Sequence, residues 1–125
     1  MIHHVSLGTN DVARARAFYD PLMAQLGLRL LKANDKALDY GIGDILFSLE
    51  TPVDGQPATP GNGVHICFQA PDRESVDRFH ALGLALGGQD SGAPGLRPEY
   101  DAHYYGAFLR DPDGNKIEAV TYSAA

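Results

Sequence analysis

The apolar positions along this chain change period in the same order in each half. In IHHVSLG (residues 2–8), Val5 and Leu7 fall on one face of an extended segment and His4 and Ser6 on the other. The next stretch, TNDVARARAFYDPLMAQLG, switches to helical spacing, with Val12, Ala15, Tyr19, Leu22 and Leu26 on one side. Thr9 or Asn10 can cap this helix, Asp11 sits where the helix dipole favours a carboxylate, and Gly27 is a natural stop. Pro21 lacks an amide hydrogen, so a kink or break is expected near Phe18. LRLLKA, KALDYGIG and DILFSLET then read as three strands.

Residues 52–62, PVDGQPATPGN, have the composition of a connection. Beyond it the plan repeats. GVHICFQA is a strand, and PDRESVDRFHALGLALGG is a helix with Val76, Phe79, Leu82 and Leu86 on one face. QDSGAPGLRPEYDAH is a loop or irregular strand. YYGAFLR and NKIEAVTY are strands joined by the turn DPDG. At an offset of 61, His4 meets His65, Asp11 meets Asp72, Phe18 meets Phe79 and Gly27 meets Gly88. The pattern predicts an α+β fold of two β-α-β-β-β modules, residues 1–51 and 63–125, joined by the 52–62 linker in one domain.

Alternation also sorts the polar residues onto faces. If Val5, Leu7, Ile66 and Phe68 pack under the helices, then His4, Ser6, His65 and Cys67 face the other way. In the last strand Ile117 and Ala119 take the helix side, which leaves Glu118, Val120 and Tyr122 on the face of the histidines. The DPDG turn pairs Phe108 with Glu118 and, by parity, puts Tyr104 and Gly106 on that face too. Two imidazoles and a carboxylate suit a divalent Fe, Mn, Ni or Zn ion, which would also compensate a buried carboxylate. Arg97, in GLRPEY, could hold an anionic substrate group, and Cys67 either lines the site or is a small buried hydrophobe.

Charge narrows the partners. The formal net charge is −6 and the pI about 5.1, which argues against nucleic acid and anionic membranes. The first residues read as a strand rather than a signal peptide, no apolar run is long enough to span a membrane, and a single cysteine excludes an internal disulfide. A cytoplasmic protein with a small-molecule partner is expected.

Three segments, HHVSLGTNDVARARAFY, GVHICFQAPDRESVDRF and YYGAFLRDPDGNKIEAV, resemble the vicinal oxygen chelate superfamily. That group includes glyoxalase I, bleomycin-resistance proteins, fosfomycin-resistance thiol transferases and extradiol dioxygenases. The resemblance implies a U-shaped mixed sheet around a central cavity, a divalent metal, and a homodimer with sites near the subunit interface. It places metal ligands on His4, His65 and Glu118. The fourth ligand of glyoxalase I falls on Ser48, with Glu50 on the same face two residues on, where a bulge could bring it into play. Ser6 stands where the thiol transferases carry a threonine. The implied activity is that of a lyase, thiol transferase or dioxygenase on a substrate chelated through adjacent oxygens, with Glu118 or Glu50 moving the proton. Ser6, Ser48, Cys67, Arg97, Tyr104 and Phe108 are the candidate substrate contacts. The alternative is a non-catalytic binder or sequestering protein of the bleomycin-resistance type.

Overall fold

The computed structural model describes all residues, 1–125. In chain order the elements are β1 (Val5–Gly8), α1 (Val12–Gln25), β2 (Arg29–Ala33), β3 (Ala37–Gly41), β4 (Ile45–Glu50), β5 (His65–Gln69), α2 (Arg73–Ala85), β6 (Gln89–Leu96), β7 (Tyr105–Arg110) and β8 (Lys116–Thr121). The strands make two open, mixed sheets, ordered β1-β4-β3-β2 and β5-β8-β7-β6. In each sheet the first and last strands pair in parallel and the other pairs are antiparallel. This is the α+β fold of two β-α-β-β-β modules. No helix is long and apolar enough to cross a membrane.

The helix caps repeat between modules. Asp11 accepts from Arg14 N at 2.9 Å and Asp72 from Ser75 N at 2.8 Å. So the first helix is capped by Asp11, not by Thr9 or Asn10, because both of those side chains are engaged elsewhere. Thr9 Oγ1 donates to Asp113, and the Asn10 amide clamps the Ala58 backbone from both sides. Gly27 and Gly87 follow the C-caps at φ 88° and 100°, a conformation that favours glycine. The stop glycines are therefore Gly27 and Gly87, an offset of 60 rather than 61, because α2 is one residue shorter than α1. Pro21 does not break α1, which runs unbroken through it. Burial of Phe18, Tyr19, Leu22 and Met23 around the proline holds the helix despite a penalty of about 3 kcal/mol.

The two helices pack together, and 19 buried apolar side chains from both modules form one core. Phe47 of β4 meets Phe68 of β5 edge-on, ring centroids 5.0 Å apart, and lies 5.3 Å from Tyr19. A polar latch ties the β7–β8 turn to the first module. Buried Asp111 accepts from Tyr19 Oη at 2.6 Å and from Asn115 Nδ2 at 3.0 Å, while Asn115 Nδ2 also donates to the Gly8 carbonyl. Asp113 accepts from Thr9 Oγ1, Asn10 N and Arg14.

Candidate functional site

The alternation expected of the strands is present. Leu7, Phe68, Ile117 and Ala119 are buried on the helix side, while Ser6, His65 and Cys67 are exposed on the other. Register places Cys67 beside Glu118, His65 beside Lys116, and Phe108 beside Glu118. Glu118 is nonetheless 2% exposed, because its neighbours close over it. His65 Nε2 stands 3.2 Å from its Oε1, and the Tyr104 hydroxyl donates to its Oε2. A buried carboxylate left alone would be costly, and here both oxygens are satisfied.

These residues line a cavity of about 470 Å³ formed by His65, Tyr100, Tyr104, Phe108, Lys116 and Glu118. A larger cleft, about 600 Å³, lies between the modules, but its lining is almost wholly apolar, with Val5, Leu28, Ile42, Leu46, Ile66 and Phe68 prominent. The titratable side chains His65, Lys116 and Glu118 therefore gather at the smaller cavity. Burial and the bond to Glu118 push the Tyr104 phenol well above its ordinary range, so it remains a donor at neutral pH. Partial burial of the thiol, then the Glu118 charge, push Cys67 up to about 12, which favours the protonated form. Cys67 stands on the site face with part of its surface exposed, so it is not a fully buried hydrophobe.

Gly106 is what lets this cluster close. A Cβ there would lie 3.0 Å from Glu118 Oε2 and 3.2 Å from Tyr104 Cε1. Gly106→Ala is expected to cost about 1–3 kcal/mol in thermal or denaturant unfolding. Combined with Tyr104→Phe, its effect should be less than additive, since both disturb the same contact.

The other site candidates are placed differently. His4 precedes β1 and is exposed. Its Nδ1 lies 2.8 Å from His3 Nδ1, and His3 Nε2 is 2.8 Å from Asp44. Within one chain no three His, Cys, Asp or Glu side chains gather as a metal group. His65 and Glu118 thus fit a divalent ion as two donors of a larger set, and His4 is not beside them. Ser48 pairs with Ser6 as Glu118 pairs with Cys67, so a serine stands where the first module would carry its carboxylate. Ser48 is fully buried and donates to Asp39 at 2.7 Å. Glu50 is exposed and pairs with Gly8 in unbroken register, and the irregularities in this sheet fall at Leu30/Lys32 and Tyr40/Gly41 instead. No bulge therefore carries Glu50 toward the site. Arg97 lies over the Phe108 ring, 5.6 Å from its centroid. Tyr100 and Lys116 were not singled out from sequence. Lys116 shares the parity of Glu118 two residues on, a usable signal, whereas Tyr100 comes from a loop that carries no period.

The sequence profile of the Glyoxalase/Bleomycin resistance protein/Dioxygenase superfamily matches residues 1–119. A glyoxalase/bleomycin resistance protein from Albidiferax ferrireducens T118 is 43% identical in sequence. Its crystal structure matches with a TM-score of 0.89 over 96% of this chain and 98% of that one. A lactoylglutathione lyase from Agrobacterium tumefaciens matches at 25% identity and a TM-score of 0.65, over 96% of this chain and 92% of that one. A glyoxalase/bleomycin resistance protein/dioxygenase family enzyme from Burkholderia phytofirmans PsJN shares the fold at 19% identity and a TM-score of 0.74, over 96% and 97% of the two chains. No curated protein matches the chain. With paired modules and a profile that runs from the first residue to the last strand, the chain belongs to the Glyoxalase/Bleomycin resistance protein/Dioxygenase superfamily.

Proposed function

We propose that the chain is a metal-dependent enzyme acting on a small substrate that presents two adjacent oxygens, with its site completed by pairing of two copies. The observation that carries this reading is Glu118, a carboxylate 2% exposed yet facing a cavity beside His65. Fe, Mn, Ni or Zn would be held by His65 and Glu118 of one copy and His4 of a second. The apolar cleft between the modules, with Ile42 and Leu46 exposed at its edge, is surface that a second copy would cover. A homodimer is thus part of the proposal.

Bound there, such an ion would polarise the substrate oxygens and stabilise an enolate or oxyanion. The protein's residues supply the rest. Glu118 is the group placed to take and return a proton, and the Tyr104 hydroxyl fixes its Oε2. Phe108 and the tyrosines shield the cavity from water. Ser48 in place of a fourth ligand, with Glu50 in regular register beyond it, favours thiol transfer or dioxygenation over a glyoxalase-type lyase reaction.

The test is metal content by elemental mass spectrometry on untagged protein purified without chelator. About one ion per chain is expected in the wild type, with loss of that ion in both His65→Ala and His4→Ala, and a dimer in solution. Absence of metal after reconstitution with each of the four ions would overturn the reading, as would full retention by His4→Ala. Metal kept by His4→Ala would remove His4 and the second copy from the site, whereas without metal the protein would be a non-catalytic binder of the bleomycin-resistance type. That second reading is favoured by one observation: both Glu118 oxygens are already satisfied within a single chain.

A further inference from the structure

His3 has no part in the site described above, yet its ring is the middle member of a row of side chains that ends on His4. The backbone brings the row together. β1 pairs with β4 in parallel, Val5 opposite Phe47, so the residues just before β1 run beside the start of β4. Asp44 stands at that start, in the turn after β3. The turn closes tightly because residue 41 is glycine: a Cβ there would lie 2.0 Å from the Asp44 carbonyl oxygen. Asp44 is itself held, since its Oδ1 accepts from the Ile45 amide at 2.7 Å. That leaves Oδ2 for His3, whose Nε2 lies 2.8 Å away. On the other side of the same ring, His3 Nδ1 lies 2.8 Å from His4 Nδ1, and the two rings meet edge to face at 84°.

The hydrogens along this row follow by elimination. The Ile45 amide, and then His3, hold the Asp44 carboxyl below its ordinary range, so it is ionised at neutral pH. An ionised carboxylate only accepts, so His3 Nε2 carries a hydrogen and donates it. One hydrogen lies between the two Nδ1 atoms. With both rings neutral, His3 already holds its hydrogen on Nε2, and the shared one belongs to His4. His4 Nε2 is then the bare nitrogen, with a lone pair free for a cation. These contacts do little for folding, because the His3 and Asp44 side chains are 62% and 75% exposed and water screens such pairs. What they do is select a tautomer.

We propose that Asp44 and His3 are positioning residues for His4, holding it as the tautomer whose Nε2 is a metal donor. The proposal rests on the reading above, in which His4 of one copy completes the site of a second. It explains how an exposed histidine outside any strand is prepared as a ligand. A metal-bound imidazole commonly donates its other N–H to an acceptor, which sets the ring and raises its basicity. Here the acceptor is a second imidazole, itself polarised by a carboxylate. A doubly protonated His3 would instead push the His4 hydrogen to Nε2 and block the donor, and a cation at that atom selects against this state. The device belongs to the first module alone, since Val64 stands before His65 where His3 stands before His4.

The experiment has two readouts on the full chain. Imidazole nitrogen NMR of chelator-treated protein at about pH 8, where imidazoles are ordinarily neutral, locates the His4 hydrogen. Competition with a chromogenic chelator then gives the affinity for zinc. Wild type should carry the His4 hydrogen on Nδ1. His3→Ala and Asp44→Ala should each move it toward Nε2 and weaken zinc about 10–100-fold. Asp44→Asn, whose amide oxygen still accepts, should keep the tautomer and weaken zinc less. Asp35→Ala, between β2 and β3, should change neither readout. Melting curves of all four variants should match the wild type, which separates positioning from a structural loss. A His4 hydrogen found on Nε2 in the wild type overturns the proposal. So does a zinc affinity indifferent to His3→Ala and Asp44→Ala in a protein that loses zinc with His4→Ala, and the metal reading then stands. If zinc is kept by His4→Ala, or binds no form of the chain, the metal reading itself fails and this proposal falls with it.

Discussion

Asp111→Ala is expected to lower the unfolding free energy by about 3–4 kcal/mol, a large share of the 5–15 kcal/mol typical of a domain. Asp111 is 3% exposed and accepts from the Tyr19 hydroxyl, the Asn115 side chain and the backbone amides of Asp113 and Asn115. Removing the carboxylate leaves the hydroxyl of the fully buried Tyr19 without a partner and frees the turn that joins β7 to β8. The same turn presents Asn115 to the Gly8 carbonyl and Asp113 to Arg14, so both modules lose an anchor at once. Asp111→Asn keeps an acceptor for the turn amides and should cost less, about 1–2 kcal/mol. The pH dependence has a definite sign. Burial raises the Asp111 carboxyl above its ordinary range, against the pull of its hydrogen bonds. A raised folded-state value adds stability that is full below the unfolded carboxylate range, about 3.9, and is lost as pH rises through the folded value. The advantage of the wild type over Asp111→Asn should therefore be widest in acid and narrow toward neutrality. Melting curves of the pair across that range check it, and a gap that widens with rising pH would contradict the assignment.

Much of this site could be read from alternation alone. His65, Cys67 and Glu118 sit on one face because strand side chains alternate, and the DPDG turn fixed the pairing of Phe108 with Glu118 that the structure shows. What escaped was whatever depends on distant partners. Thr9 and Asn10 are good caps by type, but Asp113 and Ala58 recruit them, and capping passes to Asp11. The Asp111 latch was invisible because its residues, Tyr19 and Asn115 among them, read locally as core and turn. Gly92 and Gly95 fall in the stretch that reads as a loop or irregular strand, and parity alone places Gly106 on the site face. Their role is spatial: each leaves room for a named side chain, Arg97 or Glu118. His65 lies on the face that alternation gives it, whereas His4 precedes β1, and a face does not fix a distance between modules. Within one chain the two histidines do not join a common metal group.

Phe47→Ala should cost about 3–5 kcal/mol and lower the melting temperature of the whole chain in a single transition. Phe47 is 1% exposed and belongs to the first module by sequence, yet its ring packs edge-on against Phe68 of the second and against Tyr19 of α1. Truncation removes the aromatic contacts, worth about 0.5–1.5 kcal/mol per pair beyond area, and opens a void where the modules meet. Tyr40, its register partner, and Leu49, two residues on, are themselves fully buried. Phe68→Ala removes the other half of the same contact, and the double variant should be less destabilised than the sum of the two singles. Calorimetry decides the larger point. If the modules are one cooperative unit, both substitutions shift one endotherm. If they were independent, Phe47→Ala would split it, leaving β5–β8 and α2 to melt at the wild-type temperature. The shared core, the α1–α2 contact and the Asp111 latch all predict the former. A site held on β5, β7 and β8 then owes its geometry to residues of the opposite module that never touch it, and Phe47→Ala should loosen the His65–Glu118 pair while leaving every residue of that pair in place.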